Sequence, residues 1–467
     1  MLDARLLDRT IAIARDYLAN LEDRHVGPRA SAEQLRSALD LPLPDSGEDP
    51  ETVIEELTRS MDRGLVASAG PRYFGFVIGG SVPAALAADW LTSTWDQNAA
   101  IYAAAPAACV AEDVCARWVV ELFGLPRGST VGFVTGGQMG NFTGLAAARH
   151  AVLRQAGWDV EQRGLLGAPP IRVLVGEEAH VTVVAAVRLL GLGTDSIERI
   201  AVDAQGRMQP EALDERISGT QVPAIVCAQA GNIDTGAIDP LGDIAEIAAR
   251  YGAWCHVDGA FGLWAAASPA HRDRVSGIER ADSWVADSHK WLNVPYDSSF
   301  AIVKDPASHR AAMALTAAYL PREDDEERWP AEWVPELSRR ARALPVYAAL
   351  RSLGRDGVAA IVESCCARAA QLASLLGSAP EVEILNEVTL NQVLVRFGDD
   401  DGATDTVIGA VQDEGVCWLA GTTFREQRAM RVSICNWATS EDDIERTAES
   451  ILAAARGASK GRRGGTS

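Results

Sequence analysis

Cysteine is sparse and carries no pattern: eight residues in 467, with no C-x-x-C pair and no metal-ligand spacing. That argues against a disulfide framework, and reduced thiols in a core point to the cytoplasm. Basic charge is in deficit as well, 43 Lys and Arg against 64 Asp and Glu, for a formal net charge of −21. Binding a phosphate backbone needs a concentrated cationic field that this balance disfavours, so no nucleic acid is expected and small molecules are the expected partners. Long apolar runs are missing too. The first ten residues alternate charges through an amphipathic pattern instead of forming a signal peptide's apolar stretch, and no later segment reads as long and apolar enough to span a bilayer. The expectation is a protein neither exported nor embedded in a membrane. There is no internal repeat.

What is present is an ordinary globular composition, 48% hydrophobic and 23% charged, enough for a large core in two or three domains. Apolar positions from Leu6 to Leu21 recur at helical spacing, and Ser31-Ala-Glu-Gln34 is a capping box opening a second helix. From about Leu86 to Lys304 short β-rich runs alternate with helical ones. Strands are predicted at residues 131–135, 171–175, 200–202, 224–228, 254–257, 283–286 and 300–303. Strands separated by helices imply a mostly parallel sheet with right-handed crossovers. Residues 316–333 are acidic and Pro-punctuated, as in a mobile surface loop. A last region mixes helices with strands at 392–397 and 430–434, and residues 457–467 have the composition of a disordered tail.

Chemistry concentrates where predicted strands end. Ala286-Asp287-Ser288-His289-Lys290-Trp291 follows one strand, at the carboxyl edge where open α/β sheets place ligands. A lysine there forms imines once its ammonium is destabilised, although alone it reads as one more surface lysine. His256-Val-Asp258-Gly-Ala260 ends another strand, so that Asp258 either caps a helix or holds a pyridine nitrogen protonated. Gly136-Gly137-Gln138-Met-Gly140-Asn141 carries a strand through glycines into a helix, a turn suited to a phosphate but common elsewhere. Glu177-Glu-Ala-His180 follows a further strand. Together the four features outweigh their separate structural explanations.

Taken in order from about Tyr73 to Trp437, the set resembles the group II pyridoxal-phosphate-dependent amino acid decarboxylases, most specifically in His-Val-Asp-Gly-Ala and Ser-His-Lys-Trp. The resemblance implies an α/β fold of the aspartate-aminotransferase type (fold type I), with a mostly parallel sheet in a large domain and a smaller C-terminal α/β domain. It implies pyridoxal 5'-phosphate as cofactor, an amino acid as substrate, and a homodimer. On this reading residues 1–85 are a helical segment at the dimer interface, 86–343 the cofactor domain with loop 316–333, and 344–456 the small domain. Lys290 would be the Schiff-base lysine, Asp258 the partner of the pyridine nitrogen, and Ala260 a contact on the ring. His180 would stack on the opposite face and take part in catalysis. Gly137, Gln138 and His289 would surround the phosphate, Asn232 would touch the cofactor where the family has a threonine, and Tyr319 would deliver a proton to the substrate carbon. Phe76 and Val77, with Asn98 and Ala100 from the other subunit, would line the substrate pocket.

Two departures stand out: Asn232 for threonine, and Asp287-Ser288 for the family's Asn-Pro. A carboxylate beside a phosphate is repelled unless turned away or protonated, so Asp287 is an unusual cofactor contact. The expected reaction is decarboxylation of an L-amino acid to an amine and CO2. An aminotransferase or another lyase of the same fold is the alternative, since Arg431 lies where related aminotransferases clamp a substrate carboxylate; a surface ion pair accounts for it equally well.

Overall fold

The computed structural model describes the backbone of residues 4–219, 222–314, 328–398 and 400–464, with side chains as far as residue 458. The chain divides into two compact units, one of residues 79–370 and 386–393, the other of residues 1–78, 371–385 and 394–467.

The larger unit is built on seven strands: β1 (Thr130–Val134), β2 (Arg172–Gly176), β3 (Ile197–Ile200), β4 (Ala224–Gln229), β5 (Trp254–Asp258), β6 (Ser283–Ala286) and β7 (Ser299–Val303). They lie in the order β1-β7-β6-β5-β4-β2-β3. Neighbours from β3 to β6 are parallel, while β7 runs antiparallel to both β6 and β1. Strands β4 to β7 are buried at every position, which explains their continuous apolar runs. The third strand lies earlier than predicted, at 197–200; beyond it Val202 makes only an isolated bridge to Met208.

Helix Gly137–Gln155 lies on this sheet at a distance that glycine sets. A Cβ on Gly140 would stand 2.7 Å from Val285, and one on Gly144 2.8 Å from His256. With no side chain at either point, Leu145, Ala147, Ala148 and Val152 reach a core shared with Val173, Val175, Ile225 and Cys227. Each large apolar side chain so buried contributes about 1.5–3 kcal/mol.

The smaller unit carries a sheet in the order β10-β11-β9-β8, from β8 (Val382–Ile384), β9 (Gln392–Phe397), β10 (Ala420–Phe424) and β11 (Gln427–Ser433). Strands β8 and β10 were not expected: one is three residues long and only partly buried, the other contains Gly421 and two threonines. The β10–β11 hairpin turns through Arg425 and Glu426, both at positive φ as a two-residue hairpin requires. The N-terminal helices share this unit instead of forming a separate segment to residue 85. Arg72 pairs with Asp443 at 2.7 Å in a buried bridge, and Tyr73 stacks on Trp418 at 5.1 Å. The capping box at Ser31 and Gln34 is present, yet helices Ala4–Ala19, Ala32–Leu39 and Pro50–Met61 bury no residue.

Two further expectations change. Helix Ala343–Gly377 is, by length and composition, long and apolar enough to cross a membrane. Its backbone breaks at Gly354 (φ 63°), and Val346, Val362, Ala369, Leu372 and Leu376 along it are buried. The final helix, Glu441–Gly464, runs through Gly457, where a disordered tail was expected to begin. All eight cysteines are buried, and none is in a disulfide.

Candidate active site

The carboxyl ends of β1, β2, β4, β5 and β6 bring Gly137, His180, Asn232, Asp258 and Lys290 to one edge of the large sheet. Their backbones are tied laterally: Ala230 N–H donates to Asp258 O (2.8 Å), Gly259 N–H to Val285 O (3.2 Å) and Asp287 N–H to Ala260 O (2.8 Å). The turn carrying Lys290 is fixed from beneath. Asn293 Nδ2 donates to the carbonyls of Lys290 and Trp291 at 3.2 and 3.0 Å, Trp291 is fully buried, and Gly79 passes so close that a Cβ there would clash with the Lys290 carbonyl.

Lys290 Nζ lies 2.9 Å from Asp287 Oδ2 and 6.0 Å from the Phe261 ring centroid. Burial alone would raise the Asp287 pKa, but the charges of Lys290 and His289 bring it below the usual value. Its carboxylate also faces the first turn of helix Gly137–Gln155, 3.0 Å from where a Gly137 Cβ would be. His289 donates from Nδ1 to Ser298 O (2.7 Å), lies 4.3 Å from the Tyr296 ring, and has its pKa lowered mainly by burial. Gln138 is exposed on the same first turn.

Asp258 is 6% exposed; its Oδ1 accepts from Ala260 N–H (3.2 Å) and its Oδ2 from Asn141 Nδ2 (3.0 Å). His180 caps helix Val181–Leu189, its Nδ1 accepting from Thr182 N–H (3.4 Å) and lying 2.7 Å from Thr182 Oγ1. Asn232 is committed to its own turn: Oδ1 accepts from Asp234 and Thr235 N–H at 2.9 and 3.1 Å, and Nδ2, buried without a hydrogen-bond partner, points toward Gly206.

Of the expected pocket residues, Asn98 Oδ1 accepts from Arg339 N–H (3.0 Å), and the carbonyl of buried Ala100 accepts from Ala331 N–H (3.0 Å). Phe76 and Val77 both adopt left-handed backbone, φ 55° and 56°, strained for a phenylalanine and more so for a β-branched valine. Phe76 is exposed 5.6 Å from the Trp418 ring, and Val77 is fully buried. Arg431 is buried in β11 opposite Ala420. Tyr319 and most of loop 316–333 lie outside the described residues.

The sequence did not single out Asn141 or His256 for a role. His256 Nε2 lies 2.8 Å from Asn141 Oδ1, and its Nδ1 2.8 Å from Ser283 Oγ. The available signal was an asparagine among alanines and glycines one helical turn beyond Gly137, on the face that meets the sheet.

An anion-receptive helix start, a lysine and a buried carboxylate at adjacent strand ends fit a flat, phosphorylated pyridine cofactor. Residues 32–397 match the model of the pyridoxal-dependent decarboxylase conserved domain. The chain belongs to this decarboxylase family. It is 26% identical to the aromatic-L-amino-acid decarboxylase of Bacillus atrophaeus over 92% of this chain and 90% of that protein. It is 31% identical to the cysteine sulfinic acid decarboxylase of Homo sapiens over 70% of this chain and 66% of that one. Among solved structures, Oryza sativa TDC with PLP and tryptamine superposes with a TM-score of 0.91 at 24% identity, covering 98% of this chain and 99% of that one. Mouse CSAD gives 0.88 at 24% identity, covering 97% and 98%. The fold is that of fold type I enzymes, a large α/β domain with a smaller C-terminal domain. With the family come its cofactor, pyridoxal phosphate, and its reaction, decarboxylation of an L-amino acid to an amine and CO2.

Proposed function

We propose that this chain decarboxylates its amino acid substrate with Lys290 as the Schiff-base lysine and Asp258 as the partner of the pyridine nitrogen. The observation that carries this assignment is the placement of both at the ends of the hydrogen-bonded parallel strands β6 and β5, beside the glycine-started helix at Gly137. When bound, pyridoxal phosphate supplies the electron sink for the pair left by the departing carboxylate. The remaining work falls to the protein. The helix start at Gly137 and Gln138 receives the phosphate with His289 beside it. Asp258, pinned by Asn141 and Ala260, would keep a proton on the ring nitrogen, and His180 would cover the ring face opposite Ala260. Asp287 holds Lys290 by its ion pair and would have to face away from a bound phosphate, while Asn232 shapes the neighbouring turn. Tyr319 delivers a proton to the substrate carbon after CO2 leaves.

The finer architecture we assign is the aspartate-aminotransferase type. The active form is a cytoplasmic homodimer that works on small molecules, without nucleic acid or membrane. Support for the dimer comes from the exposed apolar residues of the N-terminal helices, among them Leu7, Ile11, Leu18, Leu57 and Met61. In it Phe76 and Val77, with Asn98 and Ala100 of the second subunit, shape the substrate pocket. Buried Arg431 supports a second reading, a carboxylate clamp suited to amino transfer. Incubation with aromatic and acidic amino acids, measuring CO2, amine and keto acid together, separates the two. Stoichiometric CO2 and amine is the expected result; keto acid without CO2 would favour the second reading. Tyr319→Phe should still release CO2 but form less amine, and an unchanged amine yield would remove the phenol from the reaction.

A further inference from the structure

Behind Asp258 the larger unit contains a continuous run of buried polar side chains. Trp254 Nε1 donates to Ser283 Oγ (2.8 Å), Ser283 Oγ lies 2.8 Å from His256 Nδ1, and His256 Nε2 lies 2.8 Å from Asn141 Oδ1. Asn141 Nδ2 then donates both to Asp258 Oδ2 (3.0 Å) and to Thr182 Oγ1 (3.1 Å), and Thr182 Oγ1 is 2.7 Å from His180 Nδ1. Trp254, Ser283, His256, Asn141 and Asp258 are all buried.

The direction of every hydrogen bond in this run follows from one group. An ionised carboxylate only accepts, so the Asn141 amide must present its NH2 to Asp258, which leaves Oδ1 facing His256. His256 therefore carries its proton on Nε2 and accepts the Ser283 hydroxyl at Nδ1, while Ser283 accepts the indole N–H. A neutral ring fits the site, since burial lowers the His256 pKa. On the other branch Thr182 Oγ1 accepts from Asn141, so its own hydrogen is directed to His180 Nδ1. The Thr182 backbone N–H converges on that same nitrogen. Two donors meeting at Nδ1 leave no room for a proton there.

We infer that Asn141 is a positioning residue that sets one hydrogen-bond polarity through the site, fixing the Asp258 carboxylate and, through Thr182, holding His180 as a neutral ring protonated on Nε2. The ring placed over the cofactor is then a hydrogen-bond donor from Nε2 and not a cation. Glycine at 144 is part of the device, because a side chain there would meet His256 Cε1 at 2.8 Å and push the helix carrying Asn141 off the sheet. The inference rests on the assignment of Asp258 and His180 to the cofactor.

The test is 15N NMR of the full chain labelled at histidine, with and without pyridoxal phosphate, with His180 and His256 resonances assigned by single His→Gln variants. In wild type each should show one protonated nitrogen, Nε2, and one bare nitrogen, Nδ1. In Asn141→Leu the His180 pattern should lose this single form, and the cofactor should bind about tenfold more weakly, as expected for losing one hydrogen bond to a charged group. Asn141→Asp, which still accepts from His256 but cannot donate, should keep the His256 pattern and lose that of His180. A wild-type His180 protonated at Nδ1, or a pattern unchanged in Asn141→Leu, would overturn the inference. Should Asn141→Leu fail to fold, the wild-type tautomers decide alone. Failure of the cofactor assignment appears separately, as wild-type chain that gives no imine absorbance with pyridoxal phosphate.

Discussion

The carboxyl edge of the large sheet and the N-terminal helices are built from opposite materials. From that edge back along the sheet, Asp258, Asn141, His256 and Ser283 are buried, and hydrogen bonds satisfy them in one ordered run. Buried polar groups without partners cost about 1–3 kcal/mol each, so such a cluster persists only when complete. In helices Ala4–Ala19, Ala32–Leu39 and Pro50–Met61 nothing is buried, and the polar contacts are exposed pairs such as Arg9–Glu55 at 2.7 Å. Exposed pairs contribute about 0–1 kcal/mol. The first region is specified by its own interior; the second leaves an apolar face exposed.

The contrast can be broken most severely at Asp258. Asp258→Ala should bind cofactor more weakly and lose at least about a hundredfold in kcat, since electrostatic support of developing charge is worth several kcal/mol. Steady-state kinetics and cofactor titration check this, and a near-wild-type kcat would take Asp258 out of the reaction.

Acid should separate the regions next. Burial, with the Arg328 charge, holds His309 down to about 3, and burial lowers His256. An unfolded imidazole titrates near 6.5, so on acidification the unfolded chain takes up these protons first. Stability should therefore be fully present above about pH 6.5 and fall by on the order of a few kcal/mol as the pH drops toward 3. Urea midpoints at a series of pH values measure the slope, and His309→Gln should flatten its lower part. A slope unchanged in that variant would contradict the assignment.

At the other region, Leu7→Asp combined with Ile11→Asp places charge on the exposed apolar face of the first helix. The proposed dimer should dissociate at more than about tenfold higher concentration, read by sedimentation, because each buried aliphatic side chain contributes about 1.5–3 kcal/mol. Unchanged association would place the interface elsewhere.

The smallest expected effect is at Asp287, whose carboxylate pairs with Lys290 at 2.9 Å. Asp287→Asn keeps the shape and removes the charge, so cofactor should form its imine several-fold faster by stopped-flow absorbance, the amine being released from its ion pair. A slower reaction would mean that the carboxylate assists loading.

Lys290, Asp258 and the glycine turn were legible because all three follow apolar runs whose burial on both faces marks them as sheet strands, and strand ends on one sheet share an edge. The hydrogen-bond run behind Asp258 was not legible, although His256 and Asn141 stood inside the same motifs. It depends on how closely helix Gly137–Gln155 approaches the sheet, which Gly140 and Gly144 set through contacts that sequence spacing does not encode. Strands β8 and β10 escaped for a different reason: a three-residue, half-exposed strand and a Gly-Thr-Thr strand carry little apolar periodicity. Asn232, expected to touch the cofactor in place of a threonine, follows β4, and its side chain is turned to its own loop by the Asp234 and Thr235 amides.

Borohydride reduction shows most directly whether Lys290 is the lysine that holds the cofactor. The chain loaded with pyridoxal phosphate is reduced, digested and mapped by mass spectrometry. The pyridoxyl label should fall on Lys290 and be absent from Lys290→Ala. Label on another lysine, or an undiminished imine in that variant, would remove Lys290 from this role.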